Sequence, residues 1–228
     1  MASTYTFKRK EVKYMLTAEQ KRSFLDDIKD YLQPDAFPTY TICNVYMDTP
    51  DNRLIRTSID KPFYKEKMRI RSYGVVSDED KVFIELKKKF DGIVYKRRVK
   101  IPHGEAIGYI KGEASRRGQI EYEIDYFLNH YESISPAMFI AYDREAFHGR
   151  EDHDLRVTFD ENILWRTENV SLSSEVYGNN LLEKGQCLLE IKCADAMPLW
   201  LARALSRNKI YKNSFSKYGK AYMQKMYQ

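Results

Sequence analysis

Lysines and arginines recur at every second position through three neighbouring stretches of this chain. Lys65, Lys67, Arg69 and Arg71 fall on one parity of the first stretch, Glu85, Lys87 and Lys89 on one parity of the second, and Lys96, Arg98 and Lys100 on one parity of the third. Successive side chains of a strand point to opposite faces, so each stretch presents cations on one face, while Val82, Ile84 and Leu86, or Val99 and Ile101, take the other. Arginine offers a planar fork to phosphate oxygens and lysine a compact point charge. Like charges directly opposite one another destabilise a sheet, so an excess of this size needs an anion to pair with it. The few carboxylates on the same parity suit a hard divalent metal that bridges phosphates. The chemistry these residues could do is the holding of a polyanion.

The elements that must position them follow from periodicity. Phe63 to Ile101 reads as a meander: a strand over Tyr64 to Tyr73, a turn at Gly74 to Asp80, a strand from Val82 to Lys89, an Asp91-Gly92 hairpin turn, and a strand from Ile93 to Ile101. Upstream, a strand near Lys10 to Leu16 sets Glu11, Lys13 and Met15 opposite Val12, Tyr14 and Leu16. Thr17-Ala18-Glu19-Gln20 is a capping box opening a helix to about Leu32, closed by Pro34 and Pro38. Thr39 to Asp48 reads as a strand, and Thr49-Pro50-Asp51 begins a short helix through Leu54 and Ile55. Downstream come helices over Pro102 to Gly112 and Arg116 to His130, the second with a stripe of Ile120, Ile124, Phe127, Leu128 and Tyr131. Strands follow over Ala137 to Phe147, Asp154 to Asn162 and Leu188 to Lys192. Asn169 to Gln186, with Tyr177-Gly178-Asn179-Asn180, reads as a mobile loop. Helices over Pro198 to Ser206 and from Ser216 end the chain.

Across these strands one face gathers Glu11, Lys13, Arg69, Arg71, Glu85, Lys87, Arg98, Arg144, Arg156, Glu190 and Lys192. Closing such a sheet with its apolar face outward gives the expected fold class: α+β, a closed antiparallel β-barrel tunnel with a cationic lumen, flanked by amphipathic helices. Desolvating so many cations without anions would be prohibitive, so that lumen is expected to be wet or filled with phosphate.

Composition agrees with a folded globule. The 228 residues are 43% hydrophobic and 14% aromatic, and 38 Lys and Arg against 33 Asp and Glu leave a net charge of +5, so it is the distribution of charge that informs. One domain spanning 1–228 is expected. Cys43, Cys187 and Cys193 match no zinc spacing and read as reduced core thiols of a cytoplasmic protein. The start lacks the apolar segment of a signal peptide, and no apolar run approaches a membrane span. His103, His130, His148 and His153 have no ligand spacing. No GxxxxGK[ST] pattern occurs, so nucleotide phosphates would not be held by a P-loop.

In order along the chain, Glu11-Val12-Lys13-Tyr14, Arg69-Ile70-Arg71, Glu85-Leu86-Lys87, Lys96-Arg97-Arg98, Tyr142-Asp143-Arg144-Glu145-Ala146-Phe147, Leu155-Arg156-Val157-Thr158-Phe159-Asp160, Leu189-Glu190-Ile191-Lys192 and Ser214-Phe215-Ser216-Lys217-Tyr218 are similar to the motifs of the vacuolar transporter chaperone family. That family is the polyphosphate polymerase branch of the triphosphate tunnel metalloenzymes, and the resemblance covers nearly the whole length. It implies that Lys13, Arg69, Arg71, Lys87, Arg98, Arg144, Arg156, Lys192 and Lys217 bind and neutralise phosphates. It also implies that Glu190 holds a manganese or magnesium ion; should Glu190 not be the ligand, Glu85 and Glu11 on the same face are the next candidates. Within Lys96-Arg97-Arg98, alternation favours Arg98 or Lys96. Ser216 and Lys217 open a helix whose free N–H groups would receive a phosphate, although Ser is equally a good N-cap. Lys65, Lys67, Lys88, Lys89 and Arg97 read as solvated face or rim. Larger relatives carry further phosphate-binding and membrane domains, which this chain is expected to lack, leaving room for a separate membrane partner.

The activity so implied is transfer of the terminal phosphoryl group of ATP to a growing inorganic polyphosphate chain. A tripolyphosphate or nucleotide phosphohydrolase is the alternative on the same barrel. A non-catalytic polyanion-binding module ranks last, and nucleic acid is not an expected partner because no aromatic stacking series interleaves the cations. Arg69 and Arg71, about 7 Å apart on one face, are expected to repel each other, so that removing either leaves stability without ligand level or raised.

Overall fold

A computed structural model describes residues 10–91, 93–113, 118–131, 133–194 and 196–227. The chain is α+β, and its elements come in the order β1 (Lys10–Thr17), α1 (Ala18–Ile28), β2 (Leu32–Asp48), α2 (Arg53–Ile59), β3 (Tyr64–Tyr73), β4 (Lys81–Phe90), β5 (Ile93–Pro102), α3 (His103–Ile110), α4 (Gln119–His130), β6 (Ser135–Gly149), β7 (Arg156–Arg166), β8 (Asn179–Asn180), β9 (Gln186–Cys193), α5 (Leu199–Arg207) and α6 (Lys217–Met226). The meander stands as its alternation indicates. Gly92 of its hairpin turn, and Arg116 at the expected start of α4, lie outside the described residues, as does most of the N-terminal stretch.

The chain forms two compact units, each with its own core. The first comprises Met1–Thr41, Tyr142–Ile163 and Asn180–Ser216. In it β9 lies between β1 and β7, antiparallel to both, with Lys13 opposite Glu190 and Thr158 opposite Glu190 in register. Leu16, Val157, Phe159, Leu189 and Ile191 from the strands pack with Phe24 and Ile28 of α1 and Leu201 and Leu205 of α5. The capping box forms in full: the Gln20 amide donates to Thr17 Oγ1 at 3.2 Å and the Thr17 amide to Gln20 Oε1 at 3.1 Å. The helix it opens is shorter than expected. α1 ends at Ile28, and β2 has begun by Leu32, so Pro34 and Pro38 lie within an extended strand. Neither proline can donate to a helix or a central ladder, and their fixed φ suits extended chain, so they exclude helix without enforcing a loop.

The second unit comprises Ile42–Ala141, Leu164–Asn179 and Lys217–Gln228. Here β3 pairs antiparallel with both β2 and β4, and β4 with β5. The apolar parity of these strands (Val45, Met47, Met68, Ile70, Val82, Ile84, Leu86) packs with Leu54 of α2, Ala106, Tyr109 and Ile110 of α3, and Ile124 and Phe127 of α4. Full burial of side chains this size is worth about 1.5–3 kcal/mol each, so the apolar parity fixes which face the helices cover and leaves the cationic parity on the other.

The segment after β7 is the expected loop except for the short strand at Asn179 and Asn180, and it is tied to the strand before it. Arg166, at the end of β7, donates through Nη1 to the Tyr177 carbonyl at 2.8 Å and through Nε to the Asn169 carbonyl at 3.2 Å. Its guanidinium is sandwiched 3.7 Å from the Phe139 ring centroid and 4.2 Å from that of Tyr177. The turn can close because residue 178 is glycine: a Cβ there would stand 2.4 Å from the Trp165 carbonyl oxygen, at φ +152°. Asn179 and Asn180 then pair as β8 with β7.

Among the described residues the strand order runs from β1 at one end to β5 at the other, with no ladder joining the two ends. The sheet is large and antiparallel, and hydrogen bonds do not close it into a barrel.

Candidate functional site

In the second unit the expected cationic face is present and its rows are in register. Lys67, Lys87 and Lys96 lie opposite one another across β3, β4 and β5, as do Arg69, Glu85 and Arg98, and Arg71, Phe83 and Lys100. With Lys65 opposite Lys89, and Lys81 opposite Pro102, ten cations share this face with one carboxylate, Glu85. Strand β2 extends two rows, placing Tyr46 opposite Arg69 and Asn44 opposite Arg71.

Glu85 is 2% exposed. Arg69 grips it with Nε at 2.8 Å and Nη2 at 2.7 Å from one carboxylate oxygen, Lys96 Nζ stands 2.6 Å from the other, and Arg71 Nε stays at 3.8 Å. Burial alone would raise this carboxyl, but Arg69, Arg71 and Lys96 hold it well below the usual carboxylate range. Both oxygens thus face cations, so the charge a metal would need is already spent. Arg71 is committed differently. Its Nε donates to Asn44 Oδ1 at 3.1 Å, and its terminal nitrogens make no hydrogen bond to protein among the described residues. Arg98 lies 4.4 Å from the Phe83 ring centroid without a carboxylate partner, and exposed Lys87 is likewise unpaired among the described residues. Arg71, Lys87 and Arg98 therefore keep side-chain nitrogens that no carboxylate holds within hydrogen-bonding distance among the described residues.

Lys96 responds to the same crowding. Burial of its ammonium, helped by Arg69 and Arg71 and opposed by Glu85, pushes it down to about 8. The ammonium is charged below that value and loses its proton as pH rises through it. Tripolyphosphate binding is accordingly expected to weaken as pH climbs past about 8. In Lys96→Arg, whose guanidinium stays charged, calorimetric titration across the same range should give a flat profile.

Three residues missed by sequence reasoning buttress this face. The Tyr46 ring stacks on Tyr218 at 4.6 Å, and the Tyr218 hydroxyl donates to buried Asp48 at 2.8 Å. Asp48 also accepts from the amides of Leu54 and Ile55 at the start of α2. Burial would raise the Tyr46 phenol, yet Arg69, Arg71 and Lys217 together lower it. Lys217 is thus buried beside this cluster as the first residue of α6, and Ser216 precedes it at the cap position. Tyr46 and Asn44 share a parity in β2, the one signal that could have found them.

The first unit has a second polar face, closer to charge balance. Arg144 forks Asp160, with Nε at 2.6 Å and Nη2 at 2.7 Å, and Nη2 lies 3.6 Å from Glu190. Burial would depress this guanidinium, but Tyr142, Asp160 and Glu190 raise it well above its ordinary value. Lys13 Nζ reaches Glu190 at 3.2 Å and Glu11 at 3.4 Å, and donates to the Phe215 carbonyl at 3.2 Å. Lys192 stands 3.6 Å from Glu11, and Arg156 pairs with Asp35 at 2.8 Å while its Nε is buried without a partner. Asp160→Ala would strand the buried Arg144 charge, at an expected cost of about 3 kcal/mol in urea unfolding.

No group of three or more His, Cys, Asp or Glu among the described residues forms a ready cage for a metal. Glu11 and Glu190 nevertheless both lie within 3.4 Å of a single ammonium, so two hard carboxylates can face one cation there. That donor set fits manganese or magnesium, which keep waters and take their remaining oxygens from phosphates. Glu85, ringed by three cations, does not fit.

A family model described as the VTC domain matches residues 8–226, nearly the whole chain. The chain belongs to the VTC domain family. Among solved structures, a proposed adenylate cyclase of Bacillus halodurans is 12% identical with a TM-score of 0.57, covering 90% of this VTC domain and 92% of its own chain. A proposed adenylyl cyclase of Hippeastrum, described as having a dominant triphosphatase activity, is 14% identical with a TM-score of 0.55, covering 91% and 92%. At such identities the likeness is one of fold. No curated protein matches the chain. Among the described residues no helix of the VTC domain is long and apolar enough to cross a membrane.

Proposed function

We propose that this VTC domain is a metal-dependent polyphosphate polymerase, transferring the terminal phosphoryl group of ATP to a growing inorganic polyphosphate chain in the cytoplasm. The observation that carries the reading is the registered cationic face of β3, β4 and β5, where ten cations meet one carboxylate in a chain of this family. A folded protein holds such a surplus at low cost only with an anion of matching charge density, and a chain of phosphates supplies one charge after another along its length. Residues 1–228 would work as a single domain, and the closed tunnel expected of the family belongs to the same proposal.

Phosphoryl transfer needs alignment and neutralisation more than covalent help, so no protein nucleophile is assigned. Arg71, Arg98, Lys87 and Lys96 would take phosphate oxygens on the second unit's face, with Arg69 fixed by Glu85 as a rigid donor beside them. In the first unit Lys13, Arg144, Arg156 and Lys192 would do the same, and Ser216 and Lys217 would offer the start of α6. Glu190, with Glu11, would hold manganese or magnesium, which would supply positive charge to neutralise the donor phosphates.

The triphosphatase activity of the Hippeastrum relative favours a second reading, hydrolysis of tripolyphosphate or nucleotide with water in place of the acceptor. Incubation with ATP, manganese and a short polyphosphate primer, followed by sizing of products on a gel, separates the two. Chain growth that needs both metal and primer supports the polymerase. Orthophosphate and ADP in equal amounts with no chain growth, and tripolyphosphate cleaved without a lag, support the hydrolase.

A further inference from the structure

One end of the β3–β4–β5 meander carries exposed aromatic and aliphatic side chains that its core does not use. Phe63 (63% exposed), Tyr64 and Phe90 (48% exposed) stand together, with the Phe63 and Phe90 rings 4.7 Å apart and Tyr64 6.5 Å from Phe90. Ile93 lies opposite Phe90 in register, and Val94 opposite Lys89, both exposed. The Asp91 amide donates to the Phe63 carbonyl at 3.1 Å, which ties the two ends of the cluster together. Three of these residues, Tyr64, Phe90 and Ile93, sit on the parity that elsewhere in the meander is covered by helices, and here they stay exposed.

Lysines flank the cluster. Lys61, Lys87 and Lys89 lie near enough to Lys65 to lower its proton affinity, in addition to the effect of burial. Of the acids close by in sequence, Glu66 is engaged by Lys88 at 3.4 Å, leaving Asp60 and Asp91 against four lysines. Protruding rings set among lysines fit the interface of an anionic bilayer, where rings settle at headgroup depth and each lysine gains from the surface potential. A protein partner would need a complementary acidic surface, whereas an anionic leaflet supplies that charge wherever it is met.

We propose that this aromatic and lysine tip is a peripheral membrane-docking surface that inserts Phe63 and Phe90 into the interface of a bilayer rich in anionic phospholipid. Lys65, Lys87 and Lys89 also belong to the cationic face assigned to phosphate, so docking is read on vesicles without ATP or polyphosphate. It is tested by co-sedimentation with vesicles of phosphatidylcholine alone and of phosphatidylcholine mixed with phosphatidylglycerol. Wild type should bind the mixed vesicles, weakly or not at all the neutral ones, and should release with rising salt. Phe63→Ser/Phe90→Ser should lower binding about tenfold or more, and Lys65→Gln/Lys89→Gln by a similar factor. In Phe63→Trp, emission should shift to the blue on binding and be quenched by brominated lipid. Three results would overturn the proposal: no binding to mixed vesicles; undiminished binding in Phe63→Ser/Phe90→Ser, which would mean adsorption through charge alone; or a concentration-dependent dimer in solution that the same pair of substitutions abolishes, which would seat a second copy of the chain on this surface.

Discussion

Arg71→Ala should reduce phosphoryl transfer about a hundredfold or more while leaving the ligand-free protein within about 1 kcal/mol of wild-type stability. The contrast is with Arg69→Ala, expected to lose activity and about 3 kcal/mol of stability together, a fall in melting temperature of about 6–12 °C for a chain of this size. The two arginines share a face and a strand, and alternation alone treats them alike, which is why repulsion was expected to dominate at both. The structure separates them. Arg69 holds buried Glu85 with two nitrogens at 2.8 and 2.7 Å, so its loss leaves that carboxylate to Lys96 and the more distant Arg71. Arg71 touches the carboxylate only at 3.8 Å and gives one hydrogen bond to Asn44, so deleting it forfeits little and relieves repulsion with Arg69. Tripolyphosphate should then raise the melting temperature of wild type clearly and of Arg71→Ala hardly at all, because ligand linkage stabilises only a state that binds. A fall of several kcal/mol in ligand-free Arg71→Ala would mean that this guanidinium is structural, and the assignment of the face to phosphate would lose its best-placed donor.

Glu190→Gln is the second large effect. The change keeps the shape of a side chain packed against Lys13 at 3.2 Å and Arg144 at 3.6 Å, but removes one of two carboxylates that can face a single cation. Turnover should drop about a hundredfold or more. Manganese affinity, followed by electron paramagnetic resonance of the free ion, should fall at least about tenfold, since a hard divalent cation loses a full charge from its donor set. Tripolyphosphate affinity without metal should hold or rise, because a cationic face becomes more positive. Unchanged manganese affinity would remove Glu190 as ligand. Glu11, which shares Lys13 with it, would be the next candidate, whereas Glu85 is held by three cations.

The strands of the meander and the parity of most cations on them were legible because cations recur at every second position from Lys65 to Arg71 and again from Lys96 to Lys100. What alternation cannot supply is register. Whether Glu85 would face Arg69 or Lys67 depends on the length of the preceding turn, so the ion cluster that takes Glu85 out of consideration for metal could not be read from the chain. The fork between Arg144 and Asp160 was hidden for the same reason, although both residues stood on the predicted polar parity. The Pro34 and Pro38 pair announced the end of a helix correctly and concealed the start of a strand, since proline forbids the one without specifying the other. Asn169 to Gln186 looked structureless because its order comes from a residue before it: Arg166, whose four-way grip on carbonyls and rings has no periodic signature.

Following ATP turnover by 31P nuclear magnetic resonance gives the stoichiometry on which the polymerase reading stands. With manganese replaced by diamagnetic magnesium and a short primer present, each ADP formed should be matched by one new internal phosphate in a lengthening chain, with orthophosphate a minor species. Equal release of ADP and orthophosphate, with the internal-phosphate signal never rising, would contradict the polymerase reading and leave hydrolysis as the chemistry of this VTC domain.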